Sequence, residues 1–151
     1  MSDIRMTERE REAFLAEPRV AVLSVANDAG RPPFTAPIWY ACEPGGDLTF
    51  YTKWSPGRPA RKTGLITRAG GVSVCVQHPE PPYTYVTVEG NVTLSGRLPT
   101  ESEMLAIVRR YLPDEEARGF VAADRAGAGP KLVLFTVHPN RWLTADFAKL
   151  G

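Results

Sequence analysis

From Tyr83 to Leu94 the chain alternates. Tyr83, Tyr85, Thr87, Glu89, Asn91 and Thr93 fall on one side, and Val86, Val88, Val92 and Leu94 on the other. A period of two predicts a long strand with an apolar inner face. Val20–Ala26 is apolar and β-branched on both faces and predicts another strand, followed by the polar turn Asn27-Asp28-Ala29-Gly30. Phe34–Cys42 reads as the next strand, with Pro37 placing it at an edge or a bulge. Leu48–Lys53 and Val72–Val76 follow, and Lys131–His138 and Arg141–Ala145 flank Pro139-Asn140, which reads as a turn.

Helices announce themselves by their caps. Thr7 with Glu10, and Thr100 with Glu103, each put a hydroxyl at an N-cap and a carboxylate three residues on. They predict helices from Glu8 to Ala16 and from Thr100 to about Tyr111, the second with Met104, Ile107, Val108 and Tyr111 on one stripe. Pro113-Asp114 opens a shorter helix through Phe120, and Pro59 to Thr67 suits another. Gly127-Ala128-Gly129-Pro130 reads as a loop, and His78-Pro79-Glu80-Pro81-Pro82 as irregular. Pattern alone therefore gives a small antiparallel β-barrel with three or four peripheral helices. No repeat or linker divides residues 1–151, so one domain is expected.

Composition narrows the function. The 151 residues are 43% hydrophobic, with 18 Lys and Arg against 17 Asp and Glu. That balance argues against a nucleic-acid partner, which would favour a basic excess. Two cysteines, Cys42 and Cys75, are too few for a disulfide scaffold. No apolar run approaches the roughly 18 residues of a membrane span, and the first eleven residues lack the apolar core of a signal peptide. A cytoplasmic protein with reduced thiols and no membrane contact is expected.

The search for reactive side chains returns little. The two histidines, His78 and His138, have no cysteine or histidine at metal-ligand spacing, so no metal is expected. There is no Gly-x-Ser-x-Gly elbow, phosphate-binding Walker loop or dinucleotide fingerprint. One segment stands out. Lys53, Arg58, Arg61 and Lys62 fall within ten positions, with Thr52 and Ser55 beside them, where a strand leads into the helix expected from Pro59 to Thr67. Hydroxyls, basic forks and helix N-terminal amides together suit an anion such as phosphate. Solvent would suit each cation singly; their clustering favours the anion.

In the order of its motifs the chain resembles the pyridoxamine 5′-phosphate oxidase-like split-barrel flavoproteins over residues 7–146. The carriers are Arg19–Val25, Pro37-Ile38-Trp39-Tyr40, Leu48–Thr52, the 55–66 segment, Val72-Ser73-Val74, Tyr85–Val92 and Arg141–Phe147. The resemblance implies a mainly β fold, a six-stranded antiparallel split β-barrel of the FMN-binding type. It also implies a homodimer with FMN or the deazaflavin F420 at the subunit interface. Lys62 then falls on the family's phosphate lysine, assisted by Arg61 and Arg58, with Thr52 and Ser55 donating hydroxyls. Pro37, Ile38 and Trp39 match the strand whose backbone lines the cofactor ring. Tyr83, Tyr85 and the Trp39 side chain are candidates for pocket walls.

The match departs at the C-terminus. The Arg-x-His and Glu-Phe-Trp elements of genuine pyridoxamine-phosphate oxidases have no counterpart in Val137–Gly151. The Ser55–Pro59 stretch is also longer than the family's. What the resemblance implies is a flavin- or deazaflavin-dependent oxidoreductase acting on a small organic molecule. The cofactor would carry the hydride, so no catalytic side chain is expected. The alternative from another class is a non-catalytic binder of FMN or F420. An acidic F420 tail would suit the extra cations Arg58, Arg61 and Arg68.

Overall fold

The structure, a computed structural model, describes residues 3–43, 45–53, 61–128 and 132–151. Helix α1 spans Glu8–Ala16, and strands β1 Ala21–Val25, β2 Phe34–Ile38, β3 Ala41–Cys42 and β4 Leu48–Thr52 follow. Then come α2 Arg61–Ala69, β5 Gly71–His78, β6 Thr84–Leu94, α3 Glu101–Val108, α4 Asp114–Ala128 and β7 Val133–Asp146. Both predicted capping boxes form. Glu10 N–H donates to Thr7 Oγ1 at 3.2 Å and Thr7 N–H to Glu10 Oε1 at 2.8 Å. The Thr100–Glu103 pair repeats this at 3.1 and 2.8 Å.

The strands form one antiparallel sheet in the order β2-β1-β5-β6-β7-β4-β3. Its two edges, β2 and β3, are joined in sequence by Trp39 and Tyr40 alone. Three Cα–Cα steps of 3.8 Å reach about 11 Å at most, so the edges lie together and the sheet curls on itself. This is a split barrel.

Among the described residues seven strands build the sheet where six were expected. The predicted strand Phe34–Cys42 is two, because the chain turns a corner at Trp39-Tyr40 to pass from one edge to the other. The corner is pinned from outside. Tyr40 O–H donates to Leu15 O at 3.0 Å, Tyr40 N–H donates to Tyr111 Oη at 3.1 Å, and Trp39 stacks on Tyr111 at 4.8 Å between ring centroids. Pro37 lies in the edge strand β2, paired only with Val22, as a residue lacking an N–H requires.

Pro139-Asn140, expected as a turn, lies inside the single fourteen-residue strand β7. Glu89 pairs with Arg141 and Gly90 with Pro139, so Asn140 has no partner and forms a bulge that bends the strand. The backbones approach closely there. A Cβ on Gly90 would stand 2.4 Å from His138 O, which explains the glycine in this strand. Helix α4 runs to Ala128, past the expected end at Phe120 and through part of the expected loop. Its two glycines each cost roughly 1 kcal/mol of helix propensity, offset by the buried stripe Ala117, Val121 and Asp124.

Inside the barrel, Leu23, Val25, Phe50, Val74, Val76, Val86, Val88, Phe135 and Val137 make the core, closed by Leu15 of α1 and Leu65 and Ile66 of α2. Helices α3 and α4 cover the outside of β3, β4 and β7, where Met104, Leu105, Ile107, Val108 and Val121 meet Ala41, Tyr51 and Leu134. Among the described residues nothing comparable covers the outside of β1, β5, β6 and the last part of β7. Val20 and Val22 remain 53% and 45% exposed, and Tyr85 and Leu143 are also exposed. Both cysteines are free and half-buried. Among the described residues no helix is long and apolar enough to cross a membrane.

Candidate functional site

The end of β4 distributes three consecutive side chains by strand alternation. Tyr51 and Lys53 point to α4, and Thr52 points toward α2. On the α4 side the polar groups are fully matched. Asp124, only 7% exposed, accepts from Tyr51 O–H at 2.7 Å and from Lys53 Nζ at 2.8 Å. Burial and the adjoining carboxylate push the Tyr51 phenol well above its usual range, so it stays a donor. Sequence reading missed Asp124. Its signal was there: a carboxylate three residues after Val121 on the apolar stripe of α4.

On the α2 side the arrangement is different. Thr52, also 7% exposed, shares a 2.9 Å hydrogen bond with Thr63 Oγ1. Leu65 and Ile66 anchor α2 in the barrel core and so fix its first turn beside Thr52. Lys62 lies in that turn, half-buried. Burial lowers its ammonium pKa, and among the described residues no carboxylate pairs with it. Thr52 and Thr63 thus place two hydroxyls together, with the partly desolvated Lys62 next to Thr63 in sequence, groups of a kind suited to an oxyanion.

Of the predicted residues, Thr52 meets α2 through Thr63, Lys62 is the residue before Thr63 on that helix, and Arg61 turns away. Its Nη2 donates to Asn27 Oδ1 at 2.5 Å and lies 3.5 Å from Asp28 Oδ2. Ser55 and Arg58 lie outside the described residues. Pro37 is exposed on β2 and Ile38 is buried in the core. The Trp39 ring packs between Tyr111 and Phe120. Tyr83 and Tyr85 stand at the opposite end of the sheet. Leu94 pairs with the level of Phe50 through Phe135, and Tyr85 lies nine residues back along β6. At about 3.3 Å per residue that is at most about 30 Å along the strand, which puts the tyrosines and Thr52 at different levels of the sheet.

Other chemistry is sparse. Burial raises the Cys42 pKa, away from a reactive thiolate. Among the described residues no cluster of His, Cys, Asp and Glu could hold a metal. An open cleft of about 490 Å³ lies between the ends of β1 and β5 and the Asn140 bulge, lined by Ser24, Ser73, Glu89 and Asn91 among others. It contains none of the predicted site residues.

No protein-family model matches the chain, and no curated protein matches it in sequence. Solved structures do. The conserved hypothetical protein Rv2991 from Mycobacterium tuberculosis is 21% identical, with a TM-score of 0.77 over 100% of this chain and 91% of its own. An F420 reductase is 25% identical, with a TM-score of 0.65 over 87% of this chain and 94% of its own. HutZ, the heme storage protein from Vibrio cholerae, is 15% identical, with a TM-score of 0.66 over 91% and 94%. The likeness is one of fold: the chain is a split barrel of the type its sequence resembled.

Proposed function

We propose that this protein binds a phosphate-bearing flavin-type cofactor, FMN or F420, at the start of α2. With it the protein acts as an oxidoreductase on a small organic molecule. The observation that carries the reading is Lys62, a half-buried ammonium with no carboxylate partner among the described residues. Desolvating a charge is unfavourable unless something compensates it, and a cofactor phosphate would do so. Thr52 and Thr63 would donate hydroxyl hydrogen bonds beside it, and Pro37–Trp39 backbone would border the ring. The cofactor, when bound, supplies the hydride chemistry; the chain's part is to bind, orient and exclude water.

The same reading includes a second copy of the chain. The uncovered face with Val20, Val22, Tyr85 and Leu143 would pack against its counterpart, and Tyr85 of one copy could then approach Thr52 of the other. Helices α3 and α4 cover the outer side of the first part of β7, around Leu134, so the face left for a partner is the outside of β1, β5, β6 and the last part of β7.

Titration of the purified protein with FMN and with F420, followed by fluorescence, tests the reading. Saturable binding of either at micromolar concentration is expected. Absence of binding by both would remove the cofactor site. A second reading, a non-catalytic holder, is favoured by the likeness to a heme storage protein. Turnover of reduced cofactor with an electron acceptor separates the two, since a holder gives none.

A further inference from the structure

Asp28 lies in the turn between β1 and β2 and is shared by two arginines of α2. Arg61 opens the helix and Arg68 follows seven residues later, two turns on, so both project from the same side. Arg61 Nη2 lies 3.5 Å from Asp28 Oδ2, and Arg68 donates to Asp28 Oδ1. The Arg68 hydrogen bond, with the charges of both arginines, holds the Asp28 carboxyl below the usual carboxylate range. Of the three described cations of α2, two are therefore engaged within the protein. Lys62 is not. Of the extra cations Arg58, Arg61 and Arg68 that would suit an acidic F420 tail, Arg58 lies outside the described residues, and Arg61 and Arg68 share the charge of Asp28.

We propose that Asp28 sets which anion the α2 site accepts, admitting a ligand with one terminal phosphate over one that trails an extended polyanion. The inference rests on the cofactor reading of α2. A single phosphate meets Lys62 and the hydroxyls of Thr52 and Thr63, and has no need of Arg61 or Arg68. A tail of carboxylates running along the outer side of α2 would meet those arginines only by displacing Asp28 or by passing close to its charge. The ion pairs are half exposed, so they act through their charge rather than as a rigid lock. Their influence should fall as salt shortens the Debye length from about 10 Å at 0.1 M to about 3 Å at 1 M.

Asp28→Asn keeps the side-chain shape and an oxygen acceptor while removing the charge. Wild type and variant are titrated with FMN and with F420 carrying its oligoglutamate tail, at low and high salt. The expected result is wild-type affinity for FMN at least equal to that for F420. The variant should bind F420 about fivefold more tightly at low salt, lose that gain near 1 M, and shift FMN by less than about twofold. Equal gains for both cofactors, or no gain for F420, would overturn the proposal. A labelled hexaglutamate peptide gives a readout free of the cofactor reading: tighter binding to the variant supports the proposal, and unchanged binding defeats it. If neither cofactor binds either protein, the cofactor site fails, and the peptide comparison still decides the role of Asp28.

Discussion

Two lysines bracket the segment between β4 and α2, and their surroundings differ. Lys53 reaches Asp124, which Tyr51 also serves, and the three groups satisfy one another between β4 and α4. Lys62, half-buried at the start of α2, has its charge desolvated and no described carboxylate beside it. A balanced buried network fixes one element on another. An unbalanced cation does nothing for the fold that an apolar residue would not do better, and so points to a ligand. The contrast separates scaffold from site within a dozen residues.

The largest effect should come from breaking the balanced side. Asp124→Ala leaves the Tyr51 hydroxyl buried without an acceptor and releases Lys53. A loss of about 2–3 kcal/mol is expected, read as a lower urea midpoint at unchanged slope. Asp124→Asn, which keeps one acceptor for Tyr51, should lose less. Should the Ala variant keep its stability and instead lose cofactor affinity, the network belongs to the site and the contrast between the lysines collapses.

Lys62→Met addresses the unbalanced side. A charge-assisted contact to phosphate contributes roughly 1.5–3 kcal/mol, so FMN affinity should fall about ten- to a hundredfold. The cofactor-free variant should stay within about 0.5 kcal/mol of wild type in stability, since methionine fills the same space without a charge to desolvate. Calorimetric titration and urea unfolding measure the two separately. Unchanged FMN affinity would return Lys62 to the protein surface as an ordinary lysine.

Legibility in the sequence followed the range of the interactions. Thr7 and Thr100 cap helices through contacts three residues away, and both were readable. So was the alternation in the first half of β6, where Val86 and Val88 face the core, whereas Val92 is only partly buried and Leu94, expected inside, is 41% exposed at the strand's end. Trp39-Tyr40 and Pro139-Asn140 were not. The corner at Tyr40 depends on Leu15 and Tyr111, and the bulge at Asn140 on the pairing of Gly90 across the sheet. Nothing local distinguishes a bulge from a turn at Pro-Asn. The site divides in the same way. Thr52 and Lys62 stood out within one short basic segment, whereas Asp28 and Asp124 act on it from 33 and 71 residues away.

The smallest expected effect concerns pH. Burial lowers the Lys62 pKa in the folded chain, below the value of about 10.4 that an unfolded lysine keeps. Between those two values the unfolded chain binds more protons than the folded one, so this group makes stability rise with pH. Tyr40 and Tyr51 act oppositely. Burial raises both phenols, so near pH 10 the unfolded chain loses protons first and stability falls. The net curve mixes the two, and the difference between wild type and Lys62→Met isolates the lysine. Without cofactor, wild type should gain on the variant as pH rises through the window. With saturating FMN the difference should reverse, because a bound phosphate favours the protonated lysine and its contribution is lost as that lysine deprotonates. Urea midpoints at several alkaline pH values, with and without FMN, read both slopes. A difference curve that FMN leaves unaltered would mean that no phosphate reaches Lys62, and the distinction between the two lysines would then be one of burial alone.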